Sequence, residues 1–399
     1  MVKKVLIMSA STGGGHNRAA KAIKEDLESR FINGARVECE IIDSLKLVNI
    51  TMDRIISRGY EKSAIYTPKA YGTVYNLSET NIASRNEFKV NPLTSLMVRK
   101  FKHLITDRNP DFIIGTHPFP MIALSKLKKG SDGTISHLYK STNSPIIPPM
   151  MSILTDYTTH STWIQNEIDY YVVGNEFVKE LLVEDDVEQD KIFPYGIPVE
   201  KSFLIHRSKD IVLSELNLDP NKFTVLLMGG SFGAGNMKET FDELLSIDRD
   251  FQIVVVTGKN ASLKEKLSKS LLNHHTNKKV SILGYTDKMN DILSSVDLLI
   301  TKPGGLTTTE ALLKSVPMVI PYFIPGQEEE NLDFFTNYGC AIKITKKFTL
   351  PVAIKVLFDN PHRIEVMKRN MNTIQKPNSA KDICDLAINE IFKHKKNLH

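Results

Sequence analysis

Only three cysteines occur in the 399 residues, Cys39, Cys340 and Cys384. Odd in number and far apart, they exclude a disulfide framework and a zinc-ligand cluster. Long apolar runs are missing as well. The longest stretches, such as Val316–Pro325, are broken by proline and fall well short of the ~18 residues a membrane span requires. The first residues carry two lysines but only the short apolar run Val5–Met8, too little for a signal peptide. Glycine (21) and proline (18) stay near background. An apolar fraction of 41% and a charged fraction of 24% fit an ordinary globular chain, not a disordered or collagen-like one. A reduced, metal-independent, cytoplasmic protein of two or three domains is expected.

The net charge of +5 conceals a segregation. Residues 44–104 hold ten Lys or Arg against four acids, and residues 343–399 hold twelve against five. The remainder is therefore acidic. A basic excess confined to two stretches suits an anionic surface, phospholipid or nucleic acid. No nucleic-acid-binding motif accompanies it, so the membrane is the expected partner.

Lys3–Ala10 is an apolar run that ends in Ser-Thr-Gly-Gly-Gly-His. In the following segment, His16–Phe31, Ala19, Ala20, Ile23, Leu27 and Phe31 recur at helical spacing. Strand, glycine turn and helix open a parallel α/β sheet. Val37–Asp43, Asp111–Gly115, Met150–Leu154 and Tyr170–Gly174 read as further strands, and Lys128–Pro149 as a loop. A second set follows at Phe223–Met228, Gln252–Thr257, Val280–Leu283, Leu298–Thr301 and Val316–Pro321, with a helix over Thr307–Lys314. The expected fold is α/β, two Rossmann-like domains facing a cleft. The first would span 1–205 and the second 206–375, and a C-terminal helix at about 376–399 would pack back on the first. Gly196–Asn221 reads as the linker. Ligands of such sheets bind beyond the carboxyl ends of the strands.

The chemistry-bearing residues cluster at those ends. Lys302-Pro303-Gly304-Gly305-Leu306-Thr307-Thr308 leads from a strand into a helix. Bare glycine amides, the helix dipole and threonine hydroxyls suit a diphosphate without a metal. Glu310, one turn on, is placed for vicinal ribose hydroxyls. Gly230-Ser231-Phe232, Gly258-Lys259-Asn260 and Gly284-Tyr285-Thr286 end neighbouring strands. Gln327, Glu328 and Asn331 follow the next one and suit a sugar's hydroxyls. Two look-alikes fail. Thr257-Gly-Lys-Asn lacks the Ser or Thr of a P-loop, and Asp248-Arg-Asp250 precedes a strand, on the wrong sheet edge for a metal motif. In the first half, His16 closes the triple-glycine turn at a helix start. The dipole there favours a neutral imidazole, as a general base requires. Asp156, with His160 and Trp163 nearby, and His117 sit at other strand ends.

Taken together, Gly-Gly-Gly-His, Gly-Lys-Asn, Thr-Lys-Pro-Gly-Gly-Leu-Thr-Thr-Thr-Glu-Ala and Pro-Gly-Gln-Glu-x-Glu-Asn resemble the diacylglycerol glycosyltransferases. These are the bacterial processive β-glucosyltransferases and the plant-type monogalactosyldiacylglycerol synthases, relatives of the lipid I N-acetylglucosaminyltransferase. The resemblance runs over residues 3–392. It implies the glycosyltransferase B architecture and an inverting, metal-independent transfer of glucose from UDP-glucose to diacylglycerol, with no cofactor. It also implies a peripheral location on the inner face of the cell membrane. Gly14, Gly15, Gly230–Phe232, Gly258–Asn260, Gly284–Thr286, Lys302–Thr308 and Glu310 would hold UDP, while Gln327, Glu328 and Asn331 would read the sugar. His16 would be the base, with Asp156 and His117 beside it, and residues 44–104 would meet the lipid. The triple-glycine turn is closer to the galactosyl branch and the second-half motifs to the glucosyl branch. UDP-galactose or UDP-N-acetylglucosamine with another lipid acceptor, and a UDP-sugar-binding protein without turnover, remain the alternatives.

Overall fold

The computed structural model describes residues 2–11, 14–32, 34–48, 92–130, 145–230 and 236–393. The chain divides into two compact units, Met1–Glu200 together with Asn378–His399, and Lys201–Pro377. Each is built around a twisted, mostly parallel sheet.

In the first unit the strands are β1 (Val2–Ser9), β2 (Phe31–Ile32), β3 (Ala35–Asp43), β4 (Phe112–Gly115), β5 (Met150–Ile153), β6 (Tyr170–Val172) and β7 (Ile192–Phe193). Their order is β2-β3-β1-β4-β5-β6-β7, parallel except for the short β2–β3 hairpin. Burial on both faces explains why β1 reads as an unbroken apolar run. Val5 and Ile7 join the core under the helix Gly15–Glu28. Leu6 and Met8 join the opposite core, under the helices Pro92–Arg108 and Pro118–Gly130.

The last described helix, Ser379–Lys393, completes this unit. Ile383, Cys384, Ala387, Ile388 and Ile391 recur at i, i+1, i+4, i+5 and i+8, one apolar stripe that joins the core of the helix Gly15–Glu28. Arg30 pairs with Asp385 and donates to the Lys381 carbonyl (3.1 Å), and Ser379 Oγ donates to the Gly196 carbonyl (2.7 Å).

The second unit holds β8 (Thr224–Met228), β9 (Gln252–Val256), β10 (Val280–Leu283), β11 (Leu298–Ile300), β12 (Met318–Ile320) and β13 (Ala341–Lys343), all parallel in the order β10-β9-β8-β11-β12-β13. In both sheets the chain first builds outward on one side and then returns to build on the other. The reversal falls between β1 and β4 in the first sheet, and between β8 and β11 in the second. At such a switch the connections after the two central strands leave in opposite directions, opening a crevice.

The sequence expectations meet four differences. The first helix stops at Glu28, where the Ser29 hydroxyl and amide both bond to the Asp26 carbonyl; Phe31 keeps the helical spacing yet begins β2, an edge hairpin turned at Gly34 (φ +74°). Lys128–Gly130 ends the helix Pro118–Gly130 instead of opening a loop, and residues 131–144 lie outside the described residues. The sixth strand closes at Val172, two residues before Gly174. The expected linker contains a helix, Lys209–Glu215, anchored by Lys209 Nζ to Asp297 (3.0 Å), whose other oxygen accepts from the Thr224 amide (2.8 Å).

Candidate active site

At the β1/β4 switch, His16 is the second residue of its helix. That helix has no side-chain cap and no acid in its first turn. The end of β1 is tied to this helix and to Ser44: Ser9 Oγ donates to Asn17 Oδ1 (2.6 Å), and Ser44 Oγ donates to the Ser9 carbonyl (2.6 Å). Across the switch, His16 Nδ1 lies 2.7 Å from the Thr116 carbonyl oxygen, and Thr116 Oγ1 donates back to the His16 carbonyl (3.1 Å). Thr155, just beyond β5, places its Oγ1 2.9 Å from the same Nδ1. Close approach at β4 depends on Gly115, because Met121 Sδ lies 2.1 Å from where a Cβ would stand.

His117 packs edge-on against His16, with ring centroids 4.6 Å apart, and its Nδ1 accepts from the Phe119 amide (3.1 Å). An atom that accepts an N–H carries no hydrogen, so neutral His117 is protonated on Nε2. Burial pushes the His16 ring down to about 4, opposed by its bond to the Thr116 carbonyl. His117 is also held well below the ordinary range, by burial and then by the neighbouring His16. Near pH 7 both rings are neutral, and desolvation is the main cause.

Asp156 is buried on the same sheet edge, yet the β5 residue that bonds His16 is its neighbour Thr155. His160 caps the turn Ser161–Trp163 by accepting from the Thr162 amide (3.2 Å), and Trp163 is core. Thr116 and Thr155 were not singled out in the sequence. Their only signal was a position in the polar clusters that end β4 and β5.

At the β8/β11 switch the glycine turns converge. Gly230 adopts φ +72°, and a Cβ there would sit 3.3 Å from Lys302 Cε, so the turns after β8 and β11 touch. A Cβ on Gly284 would lie 3.8 Å from the Gly258 carbonyl oxygen, which puts the turns after β9 and β10 together too. Lys259 Nζ stands 5.7 Å from the centre of the exposed Tyr285 ring. Asn260 Oδ1 caps the helix Ala261–Asn273 through the Leu263 amide (2.9 Å), and Thr286 Oγ1 accepts from the Lys288 amide (3.1 Å). Ser231 and Phe232 lie outside the described residues.

The helix Gly305–Leu313 starts at this point without a side-chain cap or a first-turn acid. The first backbone bond of that turn is Thr308 N–H to the Gly304 carbonyl (3.0 Å). The amides of Gly305, Leu306 and Thr307 therefore have no backbone acceptor among the described residues, the usual state of a helix start that binds an anion. Thr308 Oγ1 donates to the carbonyls of Gly304 (3.1 Å) and Gly305 (2.9 Å), and Thr309 Oγ1 donates to that of Gly305 (2.7 Å). The Thr307 hydroxyl makes no such bond. Glu310 is buried.

Two residues expected to read a sugar are engaged with this turn. Glu328 pairs with Lys302 and accepts the Ile324 amide (3.0 Å), while Asn331 Nδ2 donates to the Pro303 carbonyl (3.0 Å). Gln327 opens the helix Gln327–Asn337 after Gly326 (φ +96°). The would-be metal motif is occupied otherwise: Asp250 pairs with Lys222 (2.8 Å) and Arg249 with Asp359 (3.1 Å).

Residues 16–199 match the family model of monogalactosyldiacylglycerol (MGDG) synthase, and residues 224–385 match that of the glycosyltransferase family 28 C-terminal domain. A processive diacylglycerol beta-glucosyltransferase of Bacillus pumilus (strain SAFR-032) is 31% identical over 387 residues, covering 96% of this chain and 94% of that relative. The chain belongs to the processive diacylglycerol β-glucosyltransferase family. The Bacillus subtilis (strain 168) member is 29% identical over 392 residues, 97% of this chain and 95% of its own length. Among solved structures, Acinetobacter baumannii MurG matches with a TM-score of 0.59 at 16% identity, covering 96% of this chain and 99% of that one. A putative UDP-N-acetylglucosamine 2-epimerase of Listeria monocytogenes reaches 0.60 at 14% identity, with 98% of each chain covered. These two show the fold, the paired α/β units of the glycosyltransferase B architecture that this family was expected to have.

Proposed function

We propose that the protein moves glucose from UDP-glucose to the free hydroxyl of diacylglycerol, with inversion at C1. The observation that carries this reading is the uncapped helix start Gly305–Thr307, set between Lys302 and Gly230 at the switch of the second sheet. Three amides without a backbone acceptor among the described residues and an aligned dipole suit the diphosphate of the donor and of the leaving group. Family membership supports the lipid acceptor.

In this reading Gly230, Gly258–Asn260, Gly284–Thr286 and Lys302–Thr308 surround the nucleotide, with Glu310 at the ribose; Ser231 and Phe232 join them by family resemblance alone, being outside the described residues. Gln327 meets the sugar, while Glu328 and Asn331 hold the turn that does the binding. Gly14 and Gly15 lend amides from the first unit. His16 Nε2 removes the acceptor proton as the lipid oxygen bonds to C1. The bond from C1 to the β-phosphate oxygen breaks, and its electron pair leaves with UDP. His117 and Asp156 shape the base's surroundings.

A peripheral position on an anionic membrane face completes the proposal. Among the described residues no helix is long and apolar enough to cross a membrane. The helix Pro92–Arg108 exposes Leu96, Arg99, Lys100 and His103, part of the basic stretch 44–104, of which residues 49–91 lie outside the described residues. Each basic residue near such a surface contributes about 1 kcal/mol.

Incubation of the purified protein with labelled UDP-glucose and diacylglycerol vesicles is expected to yield glucosyldiacylglycerol. UDP-galactose and UDP-N-acetylglucosamine serve as competing donors, and mass spectrometry reads the product. A different hexose on the lipid would overturn the choice of donor, and no transfer from any donor would overturn the enzymatic reading.

A further inference from the structure

We infer that Thr155 is a positioning residue. With the Thr116 carbonyl, it holds His16 in the tautomer that leaves Nε2 able to accept a proton. The inference rests on the proposed role of His16 as the base.

A carbonyl oxygen only accepts, so an imidazole nitrogen 2.7 Å from the Thr116 carbonyl must carry hydrogen. Neutral His16 therefore has its hydrogen on Nδ1 and its lone pair on Nε2. In water the neutral side chain prefers the opposite arrangement, with hydrogen on Nε2, where it could not take a proton from an alcohol. Which nitrogen is protonated is set by the hydrogen bond the other groups impose. Here two acceptors converge on one N–H, the Thr116 carbonyl at 2.7 Å and Thr155 Oγ1 at 2.9 Å.

The neighbouring ring sharpens the point. His117 receives a backbone N–H on its Nδ1, so two imidazoles in edge contact are held as opposite tautomers. Nothing in the histidines themselves distinguishes them, and the difference comes from the groups that meet Nδ1. The Thr116 carbonyl belongs to the backbone of the β4 edge and is fixed in turn by Thr116 Oγ1 bonding to the His16 carbonyl. Thr155 is the side-chain half of the arrangement. It is 4% exposed, so solvent does not readily replace its oxygen. Without it the ring keeps one acceptor and gains freedom to turn about its Cβ–Cγ bond, which exchanges Nδ1 with a carbon and misdirects Nε2.

Thr155→Val keeps the shape and removes the oxygen; Thr155→Ser restores it. Three quantities are read for each: turnover at saturating donor, UDP affinity by calorimetry, and the imidazole nitrogen signals of protein carrying 15N-histidine, with those of His16 assigned by their loss in His16→Asn. Thr155→Val is expected to lower kcat about fivefold, the weight of one neutral hydrogen bond. UDP affinity should stay unchanged, and the His16 signals should move from the Nδ1-protonated pattern toward a mixture. Thr155→Ser should return both. Unaltered kcat in Thr155→Val, or a fall in kcat with the His16 signals unmoved, would overturn the inference. Full activity in His16→Asn would instead overturn the base itself, and the two failures are told apart by that one variant.

Discussion

Asn331 donates its side-chain amide to the carbonyl of Pro303, 3.0 Å away, while being fully buried itself. A residue whose type suggests sugar recognition thus fixes the turn in front of the Gly305 helix. Removing a buried donor strands its acceptor at a cost of about 1–3 kcal/mol. Asn331→Ala should therefore lower the thermal midpoint and weaken UDP binding together. Weaker sugar selectivity with unchanged UDP affinity, measured by calorimetry against a UDP-sugar series, would return Asn331 to direct sugar contact.

The three consecutive threonines should behave differently. The hydroxyls of Thr308 and Thr309 are bonded to carbonyls of their own first turn, whereas that of Thr307 is not. Thr307→Val is expected to raise the UDP dissociation constant about tenfold, as for a hydrogen bond to a charged group. Thr308→Val should leave UDP affinity within about twofold, since its hydroxyl already serves the backbone. Equal losses in the two variants would contradict this division.

If His16 is the base, His16→Ala loses about 10²–10⁴-fold in turnover. UDP affinity should be retained, because the proposed nucleotide contact in this unit is through the amides of Gly14 and Gly15, which the substitution leaves in place. Single-turnover assays with calorimetry on the same preparation separate the two effects.

Stability should carry the mark of the buried ring. The folded His16 has its pKa lowered from 6.5 to about 4 by burial, so between those values the unfolded chain binds a proton that the folded chain refuses. Stability is then fully present above pH 6.5 and is lost as pH falls toward 4. His117 acts in the same direction. Urea unfolding at pH 7.5 and pH 5 should show a smaller loss in His16→Asn than in the parent chain. An equal loss in both would mean that the ring titrates normally.

Gly230 offers a backbone test. A side chain at φ +72° is strained by about 1–2 kcal/mol, and its Cβ would press on Lys302. Gly230→Ala should weaken UDP binding, with circular dichroism unchanged at 25 °C.

The strand ends were legible in the sequence because a parallel sheet buried on both faces needs apolar runs, and these stop at glycine after β8, β9 and β10 and at polar clusters after β4 and β5. The glycine turns accordingly marked the two switch points. The groups that orient His16 were not legible. Thr116 and Thr155 stand 100 and 139 residues away along the chain, and only the parallel alignment of β1, β4 and β5 brings them together. The bond from Asn331 to Pro303 was not legible for a related reason: a carboxamide looks the same in the sequence whether or not its nitrogen will meet a carbonyl 28 residues away. Phe31 obeyed the helical period and still left the helix, because the hairpin at Gly34 decided its place.

The return of the helix Ser379–Lys393 to the first unit sets an order on biosynthesis. Ile23 and Leu27 stay without part of their cover until residues 383–391 have emerged from the ribosome, by which time every strand of the second sheet has emerged. The half that is translated first is thus the last to be finished, and a nascent chain stalled before residue 379 presents a greasy helix face to chaperones.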